Sequence, residues 1–294
     1  MSFVLLLIII IMSGLDDSTH ENDPSSSSSL LFTFIPRGAT FLDDGNVASN
    51  LAKWDVFASG LRMTRYRYNK HYHRLDAETF ARDFFADAHV QSTFAVLDEK
   101  NATWTPIAGR FSPASETDGV TAKAVPASLT SVDVLERLRG TPAVREDGYI
   151  NKQIDAEYHG IVASDVLRDM MLNEESEVID EVGWSDKDRD EFLVRLFTHL
   201  AIGGALNQYE DKVDSIVDTT RAMYKSLLSV RRGANDCVEI TSGVFRVTGL
   251  KGDIPPPWLF PGGAEAHPQS FCYLITDPVR RHVVVLYHKH TARW

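Results

Sequence analysis

GGALNQYED, residues 203–211, separates two stretches whose apolar residues recur at helical spacing. Its reading decides the fold: as a turn it makes a helical hairpin, and as a phosphate cradle it makes a nucleotide site. Paired glycines take positive φ readily and so end a helix or let two helices approach closely, while Glu210 and Asp211 suit the positive end of a following helix. A phosphate cradle needs a preceding strand and a lysine, and this stretch has neither; its two acids would repel the ligand. The stretch therefore reads as a turn.

The helix before it is announced by Ser185 and Asp188, three apart and arranged as a capping box, with Phe192, Leu193, Leu196, Phe197 and Leu200 following at spacings of three and four. After the turn, Val213, Ile216, Val217, Thr220, Met223, Tyr224, Leu227 and Leu228 trace one stripe, with Asp211 at the positive end and Arg231, Arg232 and Gly233 at the negative end. The C-terminal third is rich in β-branched and aromatic residues. CVEITSGVFRVTG gives strands, and SFCYLITDPVRRHVVVLYH folds back on itself around Asp277–Arg281 as a hairpin. GDIPPPWLFPGGAEAHP between them has no periodicity and reads as a long loop, briefly polyproline II at 255–257.

Toward the N-terminus the signals alternate. LLFTFI from Leu30 is a short strand, and Asn46–Ala58 a helix on Val47, Leu51, Trp54 and Phe57. Met63–Tyr68 alternates as a strand, Asp76 caps AETFARDFF, and STFAVLDEKNATWTPIAG forms two short strands. Ser131 and Ser164 are placed to cap VDVLERLRG and DVLRDMML. The expected class is α+β: an N-terminal mixed region over 30–110, a linker-like joint at 111–128, and a core over 129–294 in which the helical hairpin packs on an antiparallel sheet. Residues 16–29, acidic and serine-rich, are too polar to offset the entropy of ordering and read as a tether.

Composition limits the partners. The chain has 294 residues, 44% of them hydrophobic, and a formal net charge of -11, whose field repels polyphosphates and anionic lipid. Two cysteines, Cys237 and Cys272, with no CxxC spacing, suit a reducing compartment. FVLLLIIIIM, residues 3–12, is too short to span a membrane but has the length of a signal-peptide core. It lacks a preceding Lys or Arg and a clean cleavage site, so two readings stay open, a signal and a leader ahead of a start at Met12.

Chemical candidates are few. His71 and His73, or His282, His288 and His290, share strand faces, yet no carboxylate or cysteine completes a metal set. His199 sits at the edge of an apolar face, where a hydrogen-bonded structural histidine is expected, and no nucleophile elbow occurs. RMTRYRYNKHYHR, residues 62–74, is the one basic patch. Its aromatic alternation reads as a strand that buries tyrosines and exposes Arg65 and Arg67; the competing reading is a stacking surface for single-stranded RNA.

DRDEFLVRLFTHLAIGGALNQYED, TTRAMYKSLLSVRR, EITSGVFRV and QSFCYLITDPVRRHVVVLYH resemble, in order and spacing, the cilia- and flagella-associated protein 300 family. The resemblance is dense over about 185–290 and thinner back to about Phe32. It implies a non-enzymatic protein of the cytoplasm and of the cilium or flagellum. Such a protein is needed to assemble outer and inner axonemal dynein arms through contacts with other assembly factors and intraflagellar transport machinery. No catalytic residue and no cofactor come with it, and neither nucleic acid nor membrane is an expected partner. The run at 3–12, the serine tract and the loop at 254–263 depart from the family pattern. Partner-contact candidates are Arg280, Arg281 and Asp277 in the DPVRR turn, Tyr209, Glu210 and Asp211 in the opening stretch, and Arg65 and Arg67 in the basic strand. The rival class is a hydrolase or metal-dependent enzyme whose site is dispersed along the chain.

Overall fold

The segments Phe271–Asp277 and His282–His288 bury almost every side chain, which a strand does only inside a sheet covered on both faces. In the computed structural model, which describes residues 31–36, 38, 40–56, 60–73, 76–98, 103–108, 120–250, 259 and 267–291, they are the central pair of a six-stranded sheet. Its strands are β1 (Phe32–Phe34), β2 (Leu61–Tyr68), β5 (Val120–Val125), β10 (Gly243–Leu250), β11 (Phe271–Asp277) and β12 (His282–His288). They lie in the order β1-β2-β12-β11-β10-β5, antiparallel at every pairing. The β11–β12 hairpin runs in unbroken register from Asp277 opposite His282 to Phe271 opposite His288.

Period two then sorts side chains into two cores. One face is aromatic: Tyr66, Tyr68, Phe245, Cys272, Leu274, Val283, Val285 and Tyr287 meet Phe80, Phe84 and Phe85 of α2 (Ala77–Ala86) and Val90 of α3 (Ala88–Thr93). Phe84 stands edge-on to Phe32 and to Tyr66, each at 5.1 Å between centroids, a geometry that adds about 1 kcal/mol per pair to the area buried. A two-stranded ribbon, β3 (Ala95–Asp98) with β4 (Thr103–Pro106), lies beside this core. The other face carries Val244, Phe271, Tyr273, Ile275, Val284 and Leu286. It is covered by α1 (Gly45–Lys53), α4 (Asp133–Glu136), α5 (Val166–Leu172), α6 (Val178–Val182), α8 (Phe192–Ile202) and α9 (Asp214–Leu227). The helical hairpin thus packs on the antiparallel sheet, and Phe192 joins α8 to α9 through Tyr224 and to the sheet through Tyr273. His199 Nε2 meets the Tyr273 hydroxyl at 2.9 Å, the structural role expected of it.

Several boundaries differ from the sequence pattern. The helix begun by the Ser185–Asp188 capping box is only α7 (Asp186–Asp190) and breaks before α8, because Glu191 turns away. Its carboxylate accepts from Ser128 N–H at 2.9 Å and Ser128 Oγ at 2.5 Å, and Phe192 N–H reaches Pro126 O. α5 is capped by Asp165, whose carboxylate takes Arg168 N–H at 2.7 Å; Ser164 is the residue before the cap. α1 stops at Lys53 because Trp54 and a left-handed Asp55 turn the chain, and Phe57 lies outside the described residues. α4 is a single turn, ended well before Gly140. Arg231 and Arg232 belong to β8 (Val230–Arg232), paired with β9 (Val238–Ile240), and not to the end of α9. The joint at 111–128 does not divide the sheet: Val120–Val125 is its edge strand, so residues from both expected regions share one sheet. The remaining ribbon is β6 (Lys152–Tyr158) with β7 (Ile161–Asp165).

The apolar run at 3–12, the tether at 16–29, residues 111–119 of the joint and all of the proline-rich 254–263 except Leu259 lie outside the described residues. Leu259 is buried and its carbonyl accepts from Tyr287 Oη at 2.7 Å. Among the described residues no helix is long and apolar enough to cross a membrane.

Two predictions follow from this packing. Leu200 is 1% exposed in the helix–sheet core, so Leu200→Ala is expected to lower unfolding free energy by about 2–5 kcal/mol in urea melts; a loss below half that range would show that the site collapses without a cavity.

The second concerns pH. His288 is buried and donates Nδ1–H to Gln269 O, and burial pushes its imidazole down from 6.5 to about 4. Burial also pushes His199 well below 6.5. A base whose folded pKa is depressed stabilises the fold fully above its unfolded pKa near 6.5, and the contribution disappears as pH falls toward 4. His288 alone should cost about 2 kcal/mol between pH 7 and pH 5. Urea melts at the two pH values should show at least this loss, and a His288→Gln variant, which has no proton to gain, should show a shallower one.

Candidate interaction surface

The DPVRR word closes the β11–β12 hairpin, and the structure separates its residues by task. Asp277 is nearly buried; Oδ1 accepts from Val279 N–H and Arg280 N–H, both at 2.9 Å, and Oδ2 from Ser229 Oγ at 2.6 Å. Burial opposes its ionisation, but these donors outweigh burial and hold the carboxyl below the usual range. Asp277 therefore builds the turn and does not face a partner, contrary to its place among the contact candidates. Arg281 has φ +54 and its carbonyl accepts from Tyr68 N–H, while its guanidinium meets His71 Nε2 at 2.7 Å. Arg280 is the outward one. Its side chain is 75% exposed, 3.9 Å from Asp277 Oδ2.

Strand register brings the second basic candidate to the same end of the sheet. His282 stands opposite Arg67, and Val284 opposite Arg65. His282 is pushed down by burial first and then by the charges of Arg67, Arg65 and Arg280, so these cations share one neighbourhood. Arg67 is exposed and Arg65 half-buried, while Tyr66 and Tyr68 are buried, the arrangement expected of a strand.

Sequence reasoning missed the apolar part of this surface. Val279, at the tip of the turn, is 77% exposed; Val230 and Val238 on the β8–β9 ribbon are 59% and 55% exposed. A groove of about 450 Å³ runs between them, lined by Ala127, Ser128, Arg231, Val238 and Val279 among others. The ribbon is fixed by the Arg231–Glu239 pair, at 2.8 Å. The available signal was VRRGANDCVEI itself, two short β-branched runs about a glycine, hidden by assigning Arg231 and Arg232 to the helix end.

GGALNQYED lies elsewhere, at the opposite end of β12 and about 20 Å along it. Gly203 has φ +74 and ψ −159, a conformation open to glycine alone, and a Cβ there would come within 2.5 Å of Asn207 Cγ. Gly204 N–H donates to Trp54 O at 2.8 Å, and its carbonyl accepts from Gln269 Nε2 at 2.7 Å. Leu206 N–H reaches Asp55 Oδ2 and Gln208 N–H reaches Lys53 O. Glu210 Oε1 accepts from Trp54 Nε1 and pairs with Lys53 Nζ, each at 2.8 Å. Tyr209 Oη donates to Val162 O at 3.0 Å, and Asp211 O accepts from Ile150 N–H. The stretch is a turn, as read, and Tyr209 and Glu210 spend their polar atoms holding it to the rest of the chain. Among the described residues no cluster of His, Cys, Asp and Glu is arranged to hold a metal.

Comparison with known proteins agrees with this layout. The family model described as "Cilia- and flagella-associated protein 300" matches residues 29–288. A protein of that name from Chlamydomonas reinhardtii is 38% identical over 256 residues, 86% of this chain and 95% of the relative. One from Paramecium tetraurelia is 24% identical over 265 residues, 90% and 95% of the two chains. No solved structure matches. With a family model covering the sheet, both helical layers and the DPVRR turn, the chain belongs to the cilia- and flagella-associated protein 300 family.

Proposed function

We propose that the protein works without catalysis of its own in the cytoplasmic assembly, or the transport into the cilium or flagellum, of outer and inner axonemal dynein arms. Family membership supports the ciliary part of this reading. The observation that carries the contact part is the tip of the β11–β12 hairpin. There an exposed valine and an exposed arginine, Val279 and Arg280, stand beside an apolar-lined groove on a turn fixed by Asp277. A pre-organised turn loses little conformational freedom on binding, and an arginine at its tip offers two-point contact to a carboxylate. The partner proposed is an acidic surface on another dynein-arm assembly factor, met by Arg280 and Arg281 with Arg67 beside them; the axoneme is the destination of the cargo.

Replacing both arginines with alanine tests this. Alanine and arginine carry the same Cβ, so the left-handed backbone at Arg281 is no more strained, and the exposed pair lost is a minor one, about 1 kcal/mol or less. The expected result is an Arg280→Ala/Arg281→Ala protein with a nearly unchanged melting temperature that fails to restore dynein arms in ciliated cells lacking the wild-type protein. Full recovery of the arms by the stable variant would refute the contact.

A further inference from the structure

Arg168, in the first turn of α5, is 5% exposed, and no carboxylate of the described residues pairs with its guanidinium. Nη1 donates to Val162 O and Nη2 to Ala201 O, both at a long 3.4 Å, Nε has no partner, and the group lies 4.2 Å over the ring of Tyr209. The acids around it are committed elsewhere. Asp165 takes Arg168's own backbone N–H, and Asp55 takes Leu206 N–H. A guanidinium remains charged at any accessible pH, and a buried charge held by two weak bonds to neutral carbonyls lacks the compensation that buried ions require.

The guanidinium forms part of a cavity wall. Val162 and Tyr209, the two groups flanking it, line a cavity of about 170 Å³ together with Gly204, Asn207, Gln269 and His290. Two more polar atoms on that wall are buried without partners: Asn207 Oδ1, which accepts, and His290 Nδ1. Asn207 Nδ2 is already spent on Ile202 O at 3.0 Å, which fixes the amide with its oxygen left over. His290 is pushed down to about 4, by burial first and then by His267, so it is neutral at pH 7 and Arg168 supplies the charge. The volume is below the roughly 300 Å³ of a drug-sized site, which leaves room for a ligand of a few heavy atoms and excludes a nucleotide.

We infer that this cavity binds a small carboxylate bearing an adjacent N–H or O–H donor, the carboxylate on Arg168 and the donor on Asn207 Oδ1. Two sources share that chemistry, a free amido- or hydroxy-acid and the C-terminal residue of a peptide, whose carboxylate and amide N–H are one carbon apart. Such a site is independent of the ciliary role.

Calorimetric titration of the full chain at fixed ionic strength tests it, with N-acetylglycine and acetyl-tetraglycine as acids and their C-terminal amides as controls. The acids should saturate one site with a dissociation constant on the order of 1 mM, and the amides should bind at least tenfold more weakly. Arg168→Met should abolish binding while melting no lower than the parent, since it removes an uncompensated charge. Should that variant fail to fold, Ala205→Trp, which fills the cavity mouth and keeps Arg168, carries the same expectation. Tighter binding of the peptide than of N-acetylglycine assigns the site to a chain terminus, and equal binding to a free acid. The inference is overturned by acids that do not saturate, by amides that bind as well, or by binding that survives in the folded variants.

Discussion

One peptide unit joins three distant parts of this chain. Gly204 follows α8, donates to Trp54 at the end of α1 and accepts from Gln269 at the start of β11. All three groups are buried, so none of these bonds can be exchanged for water at low cost. The geometry is available because Gly203 sits where only glycine goes, with the Asn207 side chain packed against the space a Cβ would fill. The residues after it repeat the clamp through Leu206, Gln208 and Glu210, each directed at 53–55. The stretch between two helices is thus less a spacer than the seam along which the helical layer is closed over the sheet.

The sheet makes that closure necessary. β11 and β12 alternate apolar side chains to both faces, so two helical layers are required, and the chain supplies one from 77–93 and the other from 45–53 and 133–227. A sheet so covered presents only its ends and edges. Function that depends on contact is thereby confined to turns and short ribbons, and the exposed valines fall there, on the β11–β12 turn and on the β8–β9 ribbon.

Legibility in the sequence followed the range of the forces involved. Segments fixed by their own periodicity, such as α2, α9, the β3–β4 ribbon and the β11–β12 hairpin, were readable because burial on one face or both is written into consecutive residues. Misreadings arose where a distant partner overrode local pattern. Glu191 leaves a helical run because Ser128 holds its carboxylate, and Trp54 ends a helix because Glu210 and Gly204 hold it. Val120–Val125 has the composition of a linker but gains a full register with β10. Of the contact candidates, Arg280 and Arg67 face outward as read. Asp277 does not, and the neighbouring groove had no signature in one dimension because its walls come from 127–128, 231–241 and 278–279.

The same word, DPVRR, shows why two adjacent identical residues need not share a role. A type of turn that ends in a left-handed residue must give that position a carbonyl facing the neighbouring strand, and Arg281 fills it, its carbonyl bonded to Tyr68 N–H and its side chain folded onto His71. Asp277 fixes the other end through three hydrogen bonds. What is left, Val279 and Arg280, carries no structural duty that its exposure would explain: one is a β-branched apolar side chain in water, the other a cation 3.9 Å from a carboxylate already satisfied by other donors. A rigid loop that holds an apolar group and a planar cation side by side in solvent has the chemical makeup of an interface anchor, with the cost of ordering it met by folding and not by binding.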